Sequence, residues 1–128
     1  VQLEAVIAIL DDDEVSSTLL VGALESGGLA AKFFSTPAAF LDYMQGHRPR
    51  CVLLDMNMPG MNGVEVQCAL RAMGSTTPVI MISGESDVTT ANAALLNGAS
   101  NFISKPIDAA DVLRRIREAT SPADSNAA

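Results

Sequence analysis

The chain has 128 residues, of which 48% are hydrophobic, and a formal net charge of −7. That length suits one domain with a real core and is too short for two, and so apolar a chain is not disordered. An acidic balance with eight scattered Lys and Arg argues against direct nucleic-acid binding, and no stretch nears the roughly 20 apolar residues of a membrane span or shows a signal-peptide pattern, so the expected location is cytoplasmic with no membrane partner.

Val6 to Leu10 is a continuous apolar run, the pattern of a strand buried on both faces. From Glu14 to Ser26, Val15, Leu19, Ala23 and Leu24 recur near helical spacing, and Gly27 and Gly28 can end that helix. Leu29 to Phe34 reads as a short strand. Thr36 and Pro37 are a cap and first-turn pair opening a helix to about Gln45, after which Gly46 to Pro49 read as loop. Cys51 to Leu54 is a second buried strand ending at Asp55, and Met56 to Gly63 is a Pro/Gly/Asn loop. Val64 to Met73 resumes helical spacing, Pro78 to Ile82 is a strand, and 87–97 is a helix stopped by Gly98. Phe102 to Ser104 is the last strand, and Asp108 can cap a final helix through about Thr120. Strand then helix, five times over, predicts an α/β fold, a five-stranded parallel sheet covered by five helices on its two faces. Residues 1–120 form the predicted domain, and 121–128, small and polar, read as a C-terminal linker or tail. Cys51 and Cys68 lack metal-ligand spacing and read as structural thiols.

In an open parallel sheet the carboxyl ends of the strands share one edge, where ligands bind. Asp11 and Asp12, Asp55, Ser83, and Lys105 with Pro106 all fall at or just past the ends of apolar runs. Alone, the acidic run Asp11 to Glu14 fits a solvated loop. Asp55 at the end of a second apolar strand changes the balance, because like charges at one edge resist ionising together unless a cation offsets them. Carboxylates, a hydroxyl and an ammonium at one edge ask for a hard divalent ion, and Mg²⁺ acting on a phosphoryl group is the first chemistry to consider.

Four stretches then carry a family resemblance: Ile9-Leu10-Asp11-Asp12-Asp13, Leu53-Leu54-Asp55-Met56-Asn57-Met58-Pro59-Gly60-Met61-Asn62-Gly63, Met81-Ile82-Ser83-Gly84, and Phe102-Ile103-Ser104-Lys105-Pro106. Together, in this order, the chain resembles the receiver domain of bacterial two-component response regulators over about residues 5 to 119. The resemblance implies a flavodoxin-like three-layer sandwich with strand order 2-1-3-4-5. It implies that Asp55 is the phosphoacceptor, taking a phosphoryl group from a histidine kinase or histidine phosphotransfer protein. Mg²⁺ would be held by Asp12 and Asp55, by Asp11 through a water and by the backbone carbonyl of Asn57. Lys105 would neutralise charge on the transferred group, Ser83 would hydrogen-bond it, and Phe102 would rotate as Ser83 moves. Asn57 and Glu85 would tune the lifetime of the acyl phosphate, and the Lys105-Pro106 bond would be cis.

By the same resemblance the surface formed by the fourth helix, fifth strand and fifth helix would switch, with a phosphorylation-dependent homodimer as one outcome. The domain would be no enzyme beyond its own phosphotransfer and autodephosphorylation. Asp13 and Glu14 read as solvated, as does His47. Arg114, Arg115 and Arg117 read as a solvated face of the last helix. Two rival readings remain: a receiver-like binding module that works without phosphorylation, and a haloacid-dehalogenase-like phosphohydrolase using Asp11, whose opening Asp11-Asp12-Asp13-Glu14-Val15 also fits.

Overall fold

Buried β-prone runs form the middle of the sheet in the computed structural model, which describes residues 3–56, 58, 60–83, 101–104 and 107–120. The elements are β1 (Leu3–Leu10), α1 (Glu14–Ser26), β2 (Ala30–Phe34), α2 (Pro37–Met44), β3 (Arg48–Asp55), α3 (Gly63–Ala72), β4 (Val79–Ser83), β5 (Asn101–Ser104) and a C-terminal helix (Ala109–Thr120). All strand pairs are parallel, in the order β2-β1-β3-β4-β5. The helix expected at 87–97, its stop Gly98, and 121–128 lie outside the described residues.

Side chains alternate across a strand, so each central strand feeds two cores. On one face Leu10, Val52, Leu54 and Met81 pack with Phe40 of α2 and with Val66 and Leu70 of α3. On the other, Ile7, Ile9, Leu53, Ile80 and Ile82 pack with Leu20 and Leu24 of α1 and with Val112 and Ile116 of the C-terminal helix. Three layers result. Both cores press on β3, which is why Cys51 to Asp55 is buried without a break.

Chain punctuation follows the expected chemistry. The Thr36 hydroxyl accepts from the Ala39 N–H, with Pro37 in the first turn. Gly28 takes φ of +84° while Leu29 N–H donates to the Leu24 carbonyl, closing α1 with the left-handed residue that glycine supplies most easily. Two expectations change. Arg48 and Pro49 belong to β3 and not to the preceding loop, because they lie opposite Leu3 and Glu4 of β1; proline is tolerated so near a strand's start. In α1 the buried face runs through Ser17, Leu20 and Leu24, whereas Val15 and Leu19 are each 72% exposed.

Candidate functional site

The carboxyl edge of the sheet is where the acidic residues meet. Asp11 follows the last residue of β1, and its N–H donates to the Phe34 carbonyl at the end of β2, 3.1 Å away. Asp55 is the last residue of β3, lying opposite Ile82 of β4, and the next N–H, of Met56, donates to the Ile82 carbonyl at 2.8 Å. These ties fix where both backbones leave the sheet. Carboxylate oxygens of Asp11, Asp12 and Asp55 lie within 4.8 Å of one another.

Asp11 and Asp55 are 3% and 4% exposed, while Asp12 faces solvent. Asp11 also accepts the Asp13 N–H at 2.9 Å, which orients its carboxylate. Ser83, the last residue of β4 and 2% exposed, shares this edge, and beside it Ser104 ends β5. Phe102 is half-buried against the core face that holds Leu54, Met56 and Met81. Thus the structure gathers Asp11, Asp12, Asp55 and Ser83 at one edge. Asn57, Glu85, Lys105 and Pro106 lie outside the described residues, and so does the geometry of the Lys105-Pro106 bond.

Three carboxylates form an all-oxygen donor set. Octahedral Mg²⁺ holds its ligands at about 2.1 Å, which separates opposite ligand oxygens by about 4.2 Å, so oxygens within 4.8 Å need little movement to share one ion with waters completing the shell. Asp12 is the solvent-facing member of the set.

Several contributors have weak signals in the sequence. Gly63 starts α3, and its N–H donates to the Met56 carbonyl at 3.1 Å. A Cβ at this position would meet the Asp55 carbonyl oxygen at 2.9 Å, the Met56 Cα at 3.1 Å and the Met81 Sδ at 3.2 Å. Glycine is therefore what lets α3 sit against the backbone of Asp55. Asn62 and Glu65 bracket that start with reciprocal side-chain bonds, a pattern readable as Asn-x-x-Glu. Asp13 is not merely solvated: its carboxylate accepts the Val15 N–H at 3.0 Å and caps α1.

Arg115 also departs from the solvated face expected for it. Its Nη1 donates to the Phe102 carbonyl at 2.9 Å and to Asn101 Oδ1, and its Nε donates to both Asp111 oxygens. Arg114 and Arg117 are exposed as expected, Arg114 pairing along the helix with Asp111 and Glu118. His47, exposed as expected, is not simply solvated, since it bonds Glu4 and stacks on Tyr43.

A family model described as the response regulator receiver domain matches residues 7–117. Response regulator protein TmoT of Ectopseudomonas mendocina is 40% identical over 116 residues, 91% of this chain and 53% of that protein. Transcriptional regulatory protein FixJ of Azorhizobium caulinodans is 37% identical over 109 residues, 85% of this chain and 52% of that protein. The chain thus spans about half the length of these curated relatives. The crystal structure of FixJ-N aligns with a TM-score of 0.86 at 31% identity, covering 95% of this chain and 97% of that one. Among the described residues no helix is long and apolar enough to cross a membrane. Fold, acidic edge and sequence agree, and the chain belongs to the receiver domain family of two-component response regulators.

Proposed function

We propose that Asp55 is the phosphoacceptor of this receiver, that Mg²⁺ is held by Asp11, Asp12 and Asp55, and that the donor is a histidine kinase or histidine phosphotransfer protein. The observation that carries this reading is the trio of carboxylate oxygens within 4.8 Å at the carboxyl edge of the sheet. Asp55, buried like Asp11, is the member that ends a central strand, and the Met56 N–H bond to the Ile82 carbonyl fixes the backbone just past it. A carboxylate oxygen of Asp55 attacks phosphorus; the new O–P bond forms as the donor's P–N bond breaks, and the departing imidazole keeps the electron pair. Asp11, Asp12 and Asp55 would hold the Mg²⁺, which would supply positive charge to offset the negative charge on the transferred group. Lys105, next after Ser104 in the chain, adds a positive charge, and Ser83 donates its hydroxyl to the arriving oxygen.

Charge-assisted hydrogen bonds contribute about 1.5 to 3 kcal/mol each, and inverting a 1:99 equilibrium needs about 5.5 kcal/mol. Two or three bonds made only to the phosphorylated form therefore suffice to move Ser83 and Phe102 and to alter the surface around β5 and the C-terminal helix. The domain performs no chemistry on other substrates in this reading, and Asn57 and Glu85 set how fast water removes the phosphoryl group. Residues 1–120 act as the receiver unit in this reading.

The protein donor covers the edge that holds Asp55. The exposed apolar pair Val15 and Leu19, on the helix that begins just past Asp11 and Asp12, gives it a contact beside that edge.

The test is incubation with Mg²⁺ and acetyl phosphate, followed by intact-mass and peptide mass spectrometry, with Asp55→Asn as control. A Mg²⁺-dependent adduct confined to Asp55 is the expected result. An adduct on Asp11 would indicate the phosphohydrolase chemistry, and no adduct with any donor, phosphorylated kinases included, would leave a phosphorylation-independent binding module.

A further inference from the structure

β5 is an edge strand of four residues, and among the described residues the C-terminal helix adds to its apolar packing a directional polar hold from one side chain, Arg115. The Phe102 N–H donates to Oδ1 of Asn101 at 2.8 Å, and the Phe102 carbonyl accepts from Nη1 of Arg115 at 2.9 Å. Both main-chain groups of Phe102 are thus gripped by side chains, which also removes them from the pairing that an open sheet edge invites. Asn101 Oδ1 accepts from Arg115 as well, so one guanidinium gathers both contacts. Arg115 is in turn oriented by Asp111 one helical turn earlier, with Nε at 3.1 and 3.0 Å from the two carboxylate oxygens. Its side chain is 28% exposed, beside the buried Ile116.

Apolar contacts such as Ile103 with Val112 and Ile116 are non-directional and permit sliding. A planar fork bound to a carbonyl, an amide oxygen and a carboxylate does not slide. With its main chain fixed on both sides, Phe102 moves chiefly through its side-chain torsion. We propose that Arg115 is a positioning residue that couples the switch strand to the C-terminal helix: the Asp111–Arg115 pair holds Asn101 and the main chain of Phe102, so that β5 and the helix respond to the phosphoryl group on Asp55 as one body. This rests on the receiver switch proposed above. The same arginine explains how a four-residue edge strand transmits a change at Ser83, its neighbour's last residue, to a helix on the far side of the sheet from Phe102's core.

The experiment records amide NMR shifts of the full chain with Mg²⁺, before and after acetyl phosphate, with the Asp55 adduct followed by mass. The chains compared are the native protein, Arg115→Met, Arg115→Lys and Asp111→Asn. In the native chain, phosphorylation moves the amides of both 101–104 and 109–117. In Arg115→Met the adduct forms and 101–104 still respond, while the response of 109–117 falls to less than half; Arg115→Lys recovers part of it, and Asp111→Asn lies between. Full helix response in Arg115→Met overturns the proposal. Should that variant lose its folded spectrum, Asp111→Asn carries the comparison, and full helix response there overturns it. A native chain that forms no adduct, or forms one and moves neither segment, overturns the switch reading itself and the coupling with it, a result seen without any variant.

Discussion

Asp12 is the exposed member of a carboxylate trio whose other two members are buried, so it is the one charge that can be removed with least disturbance to packing. Without divalent ions the trio is repulsive. Asp12→Asn relieves part of that repulsion, on the order of 1 kcal/mol for charges this close at a partly solvated edge, which for a domain of this size raises Tm by roughly 4 °C. Adding Mg²⁺ stabilises the native chain by mass action and the variant much less, so the order of the two melting temperatures reverses, and a chelator restores it. Equal responses to Mg²⁺ would remove the trio as the metal site. The two thiols make a second contrast. Burial pushes the Cys51 thiol up to about 12, whereas Cys68 is exposed. Iodoacetamide at about pH 8 should therefore label Cys68 alone in the folded chain, because the thiolate is the reactive form, and both only after denaturant; peptide mass spectrometry reads the outcome, and labelling of Cys51 in the native chain would contradict its placement in β3.

Helix α3 meets β3 through Gly63, and that contact is a demand on the element and not only on the residue. Two of the atoms within 3.2 Å of an added Cβ belong to the backbone of Asp55 and Met56, which cannot turn aside as a side chain could. Gly63→Ala therefore shifts the start of α3 or the end of β3, at a cost of about 1–3 kcal/mol for overpacking, and slows phosphorylation by acetyl phosphate; denaturant melts and the adduct rate measure the two effects, and an unchanged rate would show that the helix alone yields. The link between β5 and the C-terminal helix has its own signature in pH. Hydrogen bonding from Arg115, and then from Arg114, holds the Asp111 carboxyl below its ordinary value of 3.8. A depressed carboxylate contributes stability that is present above the unfolded value and is lost as pH falls through the folded one. Asp111→Asn should thus be less stable than the native chain near neutrality, with the gap closing as pH falls below about 3.8; a gap that stays constant in acid would mean that the charge contributes nothing. Such contacts separate what the sequence reveals from what it hides. Buried strands announce themselves as unbroken apolar runs, and Thr36-Pro37 and Gly28 state their turn chemistry locally. Pro49 does not, because its place in β3 depends on Leu3 and Glu4, more than forty positions away. Arg115 reads as one of three surface arginines, since its partners Asn101 and Phe102 lie on another element. The acidic edge was legible because all three aspartates follow apolar strands, whereas the close approach at Gly63 depends on how a helix seats on a strand.

For the molecule as a whole, the question is how a donor protein reaches a buried aspartate. Under the phosphoacceptor role proposed for Asp55, a phosphohistidine on a protein must bring its own surface down over the carboxyl edge, whereas a small phosphodonor brings none. α1 starts immediately past that edge, and helical spacing places Val15 and Leu19 on a common stripe that the sheet leaves uncovered while Leu20 and Leu24 face the core. Neither residue stabilises the fold by burial in the free chain, so polar replacements there should leave stability nearly unchanged. Val15→Gln with Leu19→Gln keeps helix propensity and removes apolar contact from the partner. Transfer from a phosphorylated histidine kinase or phosphotransfer protein should then slow by about tenfold, equivalent to about 1.4 kcal/mol of lost contact, while the rate with acetyl phosphate stays the same. The two donors measured side by side make the argument decisive: equal slowing with both would place the defect in the site itself, and slowing with neither would mean that the donor approaches Asp55 from another side of the edge.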